Sequence, residues 1–249
     1  MASGPVTLVS IRDLSFCYGS VRALDGLSLE IRACARLGVV GPNGSGKSTL
    51  IDLVSGARQP TRGSVLLDDR TQPIRPEVAV AAGVARTFQT ARVVGTQSIV
   101  QNVLNGVLAC RRERWRSAAS VARAMQLIET AGIADYASVP ANAVPAGVLR
   151  LTEVARAVFM APRLLLLDEP YAGLSAEESR AVASLIELAA ARQPELAVLI
   201  VDHDYRRLAC AAGEMLLLVA GRLAWRGPPE HLEASPEFIA GYLGGGRTE

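Results

Sequence analysis

Residues 41–49 have the sequence Gly-Pro-Asn-Gly-Ser-Gly-Lys-Ser-Thr and directly follow the apolar run Leu37–Val40. This is the pattern G-x-x-x-x-G-K-[ST], in the strand-then-helix context that a phosphate-binding loop needs. Glycines let successive backbone N–H groups turn toward phosphate oxygens, and a helix N-terminus adds partial positive charge. The stretch therefore predicts a nucleotide-binding α/β core. Its predicted ligand contacts are Gly41, Asn43, Gly44, Ser45, Gly46, Lys47, Ser48 and Thr49.

The lysine in this stretch is the only one among 26 basic residues; the other 25 are arginine. Arginine carries a planar fork, whereas lysine carries a compact point charge on a thin stem. Lys47 is therefore expected where a fork does not fit, although survival of one lysine by chance stays open. In the predicted loop, Lys47 neutralises β- and γ-phosphate oxygens and the Ser48 hydroxyl binds Mg²⁺.

Two more apolar runs end in polar residues. Leu164–Leu167 leads to Asp168-Glu169, and Ala197–Val201 leads to Asp202-His203. Each run is apolar on both faces, as buried parallel strands are. Ligands bind at the carboxyl ends of such strands, so the polar residues that follow the two runs are candidate site residues. Asp168 is expected to hold Mg²⁺, Glu169 to polarise the attacking water, and His203 to contact the γ-phosphate.

The rest of the chain predicts a different local structure on each side of this core. Short alternating stretches around Tyr18-Gly19 predict antiparallel strands, and residues 91–160 are expected to be mainly helical. Ser175-Ala-Glu-Glu178 is a capping box that predicts a helix, with an apolar stripe behind it. The stripe consists of Val182, Leu185, Ile186 and Ala189.

Composition excludes several classes of protein. The chain has 249 residues, 50% of them hydrophobic, so it is not generally disordered. A formal charge of +2 does not support a nucleic-acid partner. Four widely spaced cysteines are expected to be buried thiols in a reducing compartment. No signal peptide and no membrane-spanning run is evident, which predicts a cytoplasmic chain.

The ordered set of motifs resembles the ATP-binding subunit of an ABC transporter, over nearly the whole chain. Thr87-Phe88-Gln89 matches the family's Q-loop, whose glutamine reaches Mg²⁺ and the lytic water. Tyr18 matches the aromatic that stacks on adenine, although an ordinary strand aromatic is equally expected. Ala172–Ser175 occupies the position of the D-loop, and His203 that of the switch histidine. The resemblance implies binding of ATP and Mg²⁺, with Gln89 and Glu169 acting in hydrolysis.

Finer features resemble the ATPases of importers for branched-chain amino acids or related urea and amide importers. They include Gly83–Gln89 and the ending Phe238–Gly244. The resemblance implies transmembrane permease subunits as partners, a second ATPase subunit, and indirectly a substrate-binding protein. It also implies a peripheral location on the inner face of the cell membrane. The expected organisation is one ABC ATPase domain over 1–249, with a P-loop NTPase core. Its expected parts are a β portion at about 5–35 and 62–70, a helical portion at about 91–160, and a tail at 228–249.

One motif departs from the family pattern. Where the signature Leu-Ser-Gly-Gly-Gln or Leu-Ser-Tyr-Gly-Gln is expected, the chain has Val144-Pro-Ala-Gly-Val148. Only Gly147 survives, and Pro145 has neither the serine hydroxyl nor a backbone N–H. In the resembling family, that serine contacts the γ-phosphate held by the opposite subunit. The departure therefore favours a heterodimer with a partner whose signature is intact.

Two alternatives stay open from the sequence. One is a regulatory ABC subunit that hydrolyses poorly, and the other is a soluble ABC ATPase without a transporter. The run Arg111–Arg116 could face anionic lipid, although a solvated helix face is the more ordinary explanation.

Overall fold

The computed structural model of the chain describes residues 6–68, 75–107 and 117–243. Its strands are β1 Thr7–Tyr18, β2 Val21–Arg32, β3 Arg36–Val40, β4 Arg62–Leu67, β5 Val84–Arg86, β6 Leu164–Asp168, β7 Ala197–Val201, β8 Glu214–Val219 and β9 Arg222–Gly227. Its helices are α1 Lys47–Val54, α2 Pro76–Ala81, α3 Ile99–Leu104, α4 Ala118–Thr130, α5 Ala146–Phe159, α6 Ala176–Arg192 and α7 Tyr205–Ala211. Short helical turns lie at Ala134–Tyr136, Ala141–Ala143, Pro229–His231, Pro236–Phe238 and Ile239–Leu243.

The described residues form two compact units. The first comprises the chain up to Ala79 and from Ala197 onward, and the second comprises Val80–Leu196. The first unit contains a small antiparallel sheet in the order β2-β1-β4. Tyr18 lies opposite Val21 where β1 turns into β2, so the antiparallel strands predicted around this turn are confirmed.

The first unit also contains a parallel set of strands. β3 lies between β7 and β8 and is parallel to both, with Val39 opposite Val201 on one side and Leu216 on the other. All five residues of β7 are buried, which explains why the run carries no polar residue. Because β3 and β7 are parallel and in this register, the phosphate loop and the Asp202-His203 pair leave the strands at the same edge.

The second unit is mainly helical around one parallel pair of strands. β5 pairs with β6, with Ala85 opposite Leu165, and every residue of β6 is buried. α6 begins at the Ser175–Glu178 capping box, and its predicted apolar stripe is buried, so both predictions are confirmed. The fold is thus mixed α/β, with a parallel sheet and a small antiparallel sheet, as the sequence predicts.

The cysteines differ from expectation. Cys34 and Cys210 are exposed and Cys17 is half-buried, so the prediction of buried thiols is wrong for these residues. Cys34 lies in the turn between β2 and β3, where residues 33–35 are all at least partly exposed. Cys210 lies on the outer face of α7. Cys110 and the Arg111–Arg116 run lie outside the described residues.

Candidate functional site

The phosphate loop joins β3 to α1 through a backbone that only glycine permits at two positions. A Cβ at Gly41 would lie 2.2 Å from the Leu218 carbonyl oxygen. Gly46 caps α1 with a φ of 102°, and a Cβ there would lie 2.4 Å from the Ala23 carbonyl oxygen. These glycines therefore fix the loop against neighbouring strands. Gly44, with a φ of 78°, has no atom within 4 Å of an added Cβ, so the loop is open to solvent there.

Lys47 lies inside this loop and is only 7% exposed. Its ammonium donates to the carbonyl oxygens of Gly41 at 2.8 Å and Pro42 at 2.9 Å. The charge is held within the loop, where a phosphate oxygen is a stronger acceptor than a carbonyl. The expectation that an arginine fork does not fit here stays a prediction.

The remaining loop residues divide by exposure. Asn43 and Ser48 are exposed, whereas Ser45 and Thr49 are buried. An open glycine backbone and a buried ammonium suit phosphate oxygens, and an exposed hydroxyl at the start of a helix suits Mg²⁺. The residues of this loop therefore fit a nucleotide with its metal ion.

Tyr18 ends β1 and is 42% exposed. Its ring meets Phe16 edge-on, with centroids 4.9 Å apart, and the Arg58 guanidinium lies 4.7 Å from its centroid. Asp52 holds that guanidinium at 3.1 Å. The ring is thus accessible and held in place, which is compatible with stacking on a base. The adenine contact itself stays a prediction.

His203 lies in the loop that follows β7, and its side chain is 62% exposed. Its Nδ1 lies 3.4 Å from Oδ1 of the buried Asp202. The same oxygen accepts the backbone N–H of Asp204 at 3.0 Å, and Asp204 in turn caps α7. The loop backbone is therefore held while the imidazole projects into solvent.

In the second unit, two predicted catalytic residues lie together. The Gln89 side-chain amide donates to the Glu169 carboxylate, with Nε2 and Oε2 3.4 Å apart. Glu169 has a φ of 48°, an uncommon conformation for a residue with a side chain. Such conformations concentrate at functional sites. An amide beside a carboxylate is an arrangement that can orient and polarise a water molecule.

Asp168 ends β6 and is 3% exposed. Its backbone N–H donates to the Thr87 hydroxyl at 3.2 Å, and the Thr87 N–H donates to the Leu166 carbonyl at 2.9 Å. β5 and β6 are thereby tied together next to Gln89. Among the described residues, no cluster of three or more histidine, cysteine or carboxylate side chains could hold a metal alone. A single carboxylate such as that of Asp168 suits Mg²⁺, which takes one or two protein carboxylates plus phosphates and water.

Sequence reasoning missed a buried charged network that contacts the Q-loop. Glu153 of α5 is fully buried and accepts the backbone N–H of Arg92 at 3.0 Å. Arg150 lies 3.3 Å from Glu153 and also donates to the carbonyl oxygens of Phe88 and Gln89. Burial raises the pKa of Glu153 above its ordinary value, against the opposing effects of the Arg92 N–H and the arginines. The only sequence signal is the i, i+3 spacing of Arg150, Glu153 and Arg156 in a helix that is mainly apolar.

The degenerate signature lies at the start of α5. Pro145 is its N-cap and supplies no side-chain hydrogen bond. A Cβ at Gly147 would lie 1.9 Å from Oε1 of Glu178. The other oxygen of that carboxylate accepts the Ser175 N–H at 2.8 Å, in the capping box of α6. Gly147 thus has a structural role within this unit, and its predicted nucleotide contact stays a prediction.

No helix among the described residues is both long and apolar enough to cross a bilayer. A family model described as "ABC transporter" matches residues 24–172. The chain is 29% identical over 251 residues to the high-affinity branched-chain amino acid transport ATP-binding protein LivG of Salmonella typhimurium, covering 95% of this chain and 98% of LivG. It is 27% identical to BraF of Pseudomonas aeruginosa, a protein with the same description, at the same coverage.

Solved structures share the fold. The ADP conformation of MJ1267, an ATP-binding cassette of an ABC transporter, superposes with a TM-score of 0.81 at 22% identity. The match covers 96% of this chain and 99% of that one. A nucleotide-free ATP-binding cassette from an ABC transporter superposes with a TM-score of 0.79 at 20% identity, over 95% and 99% of the two chains.

Proposed function

The chain belongs to the ABC transporter family, and from that premise we propose that it powers an importer for branched-chain amino acids or similar small polar or amphipathic solutes. It is an ATPase of this family. The observation that carries the proposal is the contact of the Gln89 amide with the Glu169 carboxylate, because that pair suits the activation of water. The substrate class rests on the descriptions of LivG and BraF, each matched over nearly its full length.

In this proposal, each predicted residue has a role that its surroundings support. Lys47, released from two loop carbonyls, neutralises the β- and γ-phosphates, and the glycines of residues 41–46 present N–H groups to them. Ser48, Gln89 and Asp168 are the residues that would hold Mg²⁺, which would supply charge neutralisation at the phosphate oxygens. Tyr18 stacks on adenine.

The hydrolytic step uses three side chains. Glu169 accepts a proton from the attacking water, and the side-chain amide of Gln89, which lies beside that carboxylate, orients the water. His203, whose imidazole is exposed on a held backbone, contacts the γ-phosphate oxygen as charge develops there.

Changing Lys47 to alanine tests the nucleotide site. The change removes a charge-assisted contact worth about 1.5–3 kcal/mol, so affinity for ATP should fall roughly tenfold or more. Calorimetric titration measures this, and thermal melting without nucleotide shows whether the variant still folds. Unchanged affinity in a folded variant would contradict the assignment.

Changing Glu169 to glutamine tests hydrolysis separately from binding. The amide preserves shape but accepts no proton, so binding of ATP should persist while turnover slows. Turnover at the wild-type rate in the assembled complex would show that Glu169 is not the base.

The partners follow from the same proposal. Permease subunits contact the surface near Gln89 and the helices of residues 91–160, and they hold the chain on the inner face of the membrane. A second ATPase subunit with an intact signature completes the site on this chain's phosphate loop, and a substrate-binding protein acts indirectly. Cross-linking to a membrane protein from single cysteines, placed at residues 91–100 of a chain whose four native cysteines are replaced, tests the permease contact. A chain that never co-purifies with membrane proteins would favour a soluble ABC ATPase instead.

A further inference from the structure

The C-terminal segment of the described chain returns to the His203 loop. After the turn Pro236–Phe238, residues Ile239–Leu243 form one wide helical turn. The Tyr242 hydroxyl donates to the backbone carbonyl oxygen of His203. A segment 39 residues further along the chain thus contacts the backbone of the predicted γ-phosphate ligand.

Aromatic packing fixes this segment in place. Phe238 is fully buried, and its ring stacks on Tyr242 with centroids 4.8 Å apart and planes at 13°. Tyr205, at the start of α7, meets Phe238 edge-on at 5.0 Å and Tyr242 at 6.0 Å. Aromatic pairs in these geometries contribute beyond their buried area. The Tyr242 hydroxyl is therefore aimed by a packed cluster.

The same turn also packs closely against the end of β8. A Cβ at Gly241 would lie 2.9 Å from Cγ2 of Val219, at the end of β8. β8 is parallel to β3, whose end opens into the phosphate loop. The turn is therefore seated on the strand layer that supports the nucleotide loop.

The His203 loop is thereby held on both flanks and at its centre. Asp202 accepts the Asp204 N–H on one side, and Asp204 caps α7 on the other, with hydrogen bonds to Arg206 and Arg207. The carbonyl of His203, between them, is fixed by Tyr242. A fixed carbonyl limits the rotation of the backbone from which the exposed imidazole projects.

We propose that Tyr242 is a positioning residue for ATP hydrolysis, whose hydroxyl fixes the His203 backbone so that the imidazole is directed at the γ-phosphate. The inference rests on the proposed role of His203. Burial raises the pKa of the Tyr242 phenol, so the hydroxyl remains a donor at neutral pH. Groups preorganised in this way cost no rearrangement when charge develops in the transition state.

Tyr242→Phe removes the hydroxyl and keeps the stacked ring, and Tyr205→Phe is its matched control. The Tyr205 hydroxyl contacts Arg206 on the surface, so the control changes the same cluster without touching His203. For Tyr242→Phe we expect kcat to fall about two- to tenfold, the size of one neutral hydrogen bond, with KM for ATP unchanged. Tyr205→Phe should match the wild type. Both variants are assayed as full chains in the assembled transporter.

Repeating the substitution in a chain that lacks the His203 side chain shows whether Tyr242 acts through His203 or through the structure in general. In a His203→Ala chain, Tyr242→Phe should cause no further loss, because contacting residues that act together are not additive. The same fold-loss with and without His203 would overturn the proposal.

Carbonyl labelling tests the contact without any activity. The chain has two histidines, His203 and His231, so ¹³C at histidine carbonyls gives two signals. Tyr242→Phe should move the His203 signal and leave that of His231 in place. An unmoved His203 signal would overturn the proposal. If Tyr242→Phe moves the His203 signal but the wild-type chain neither binds nor hydrolyses ATP, the contact stands and the proposed function fails.

Discussion

Gly147 lies under the Glu178 carboxylate, whose Oε1 would be 1.9 Å from an added Cβ. Gly147→Ala therefore forces Glu178 out of the capping box of α6. Helix propensity alone favours alanine by about 1 kcal/mol in α5, whereas loss of a cap costs about 0.5–2 kcal/mol. Rotation of the flexible Glu178 side chain relieves the steric conflict, so the gain and the loss nearly offset. We therefore expect a free energy of unfolding, measured by chemical denaturation, that is lower than for the same change at a glycine in open space.

A matched glycine separates these effects. Gly213 has ordinary φ, and an added Cβ would meet nothing nearer than the Arg36 carbonyl oxygen at 3.9 Å. Gly213→Ala should leave stability unchanged or slightly higher. Equal behaviour of the two variants would contradict the steric argument, as would a Gly147→Ala chain more stable than the Gly213→Ala chain.

At this scale, the sequence predicts residues whose chemistry is local. The phosphate loop is continuous in the chain, so Gly46 and Lys47 carry their own structural context. Gly147 shows the limit: the sequence marks it as a remnant of the signature, but its contact with Glu178 depends on how α5 packs against α6. That contact joins residues 31 positions apart, and no local pattern encodes it.

At the scale of elements, α5 is tied to the Q-loop by Arg150 and Glu153. Glu153→Ala would leave the buried guanidinium of Arg150 and the half-buried one of Arg156 without their carboxylate, and the Arg92 N–H without its acceptor. Breaking a buried pair in this way typically costs about 3–5 kcal/mol. We expect a loss of that size by denaturant titration. Arg156→Ala is the control, because Arg156 contacts Glu153 at 3.6 Å and should cost less; a larger loss for the control would contradict this account.

The raised pKa of Glu153 gives this contact a pH dependence. Its folded pKa lies above the unfolded one, so the folded state binds the proton more tightly. Its contribution to stability is present in full below the unfolded pKa and declines as pH rises through the folded pKa. The difference in unfolding free energy between the wild type and Glu153→Gln should therefore shift against the wild type as pH rises from the ordinary carboxyl range. A difference that grows in favour of the wild type over that range would contradict the sign.

Elements with a regular pattern were predictable, and this network was not. The capping box and apolar stripe encode α6 within its own residues, and the two-sided apolar runs encode β3, β6 and β7. Charges spaced i, i+3 on a helix are ordinarily typical of a solvated face. Arg150 and Glu153 are instead buried and hydrogen-bonded to the backbone of residues 88–92, which lie about 60 positions away in the chain.

At the scale of the whole molecule, the incomplete signature predicts dependence on a partner. A homodimer would have two sites that each lack a hydrogen bond to a charged oxygen, worth about 1.5–3 kcal/mol. We therefore expect weak hydrolysis by the purified chain. Changing Val144-Pro145-Ala146 to Leu-Ser-Gly should raise the hydrolysis rate, because the serine hydroxyl supplies the missing hydrogen bond. The serine also caps α5, where Pro145 supplies no side-chain bond.

The design of that variant follows the structure. Val148 is 6% exposed, so it is kept rather than changed to the glutamine of the family pattern. Steady-state ATPase activity against protein concentration is the measurement, with Leu-Ala-Gly as the control that lacks only the hydroxyl. Brisk, cooperative hydrolysis by the unmodified chain would refute the heterodimer proposal and would mean that Gly147 and the α5 N-terminus suffice.

The sequestered Lys47 determines which reagents can map these partner contacts. Amine-directed cross-linkers react with lysine ε-amines and the N-terminal amine, and the only lysine in the chain is 7% exposed and bonded to loop carbonyls. Its side chain should thus stay silent in an amine-based interaction map even inside an intact complex, and that silence would be no sign of a missing partner. Cross-linkers that react with carboxylates, or with the exposed cysteines Cys34 and Cys210, are better suited to identify the proteins that contact this chain.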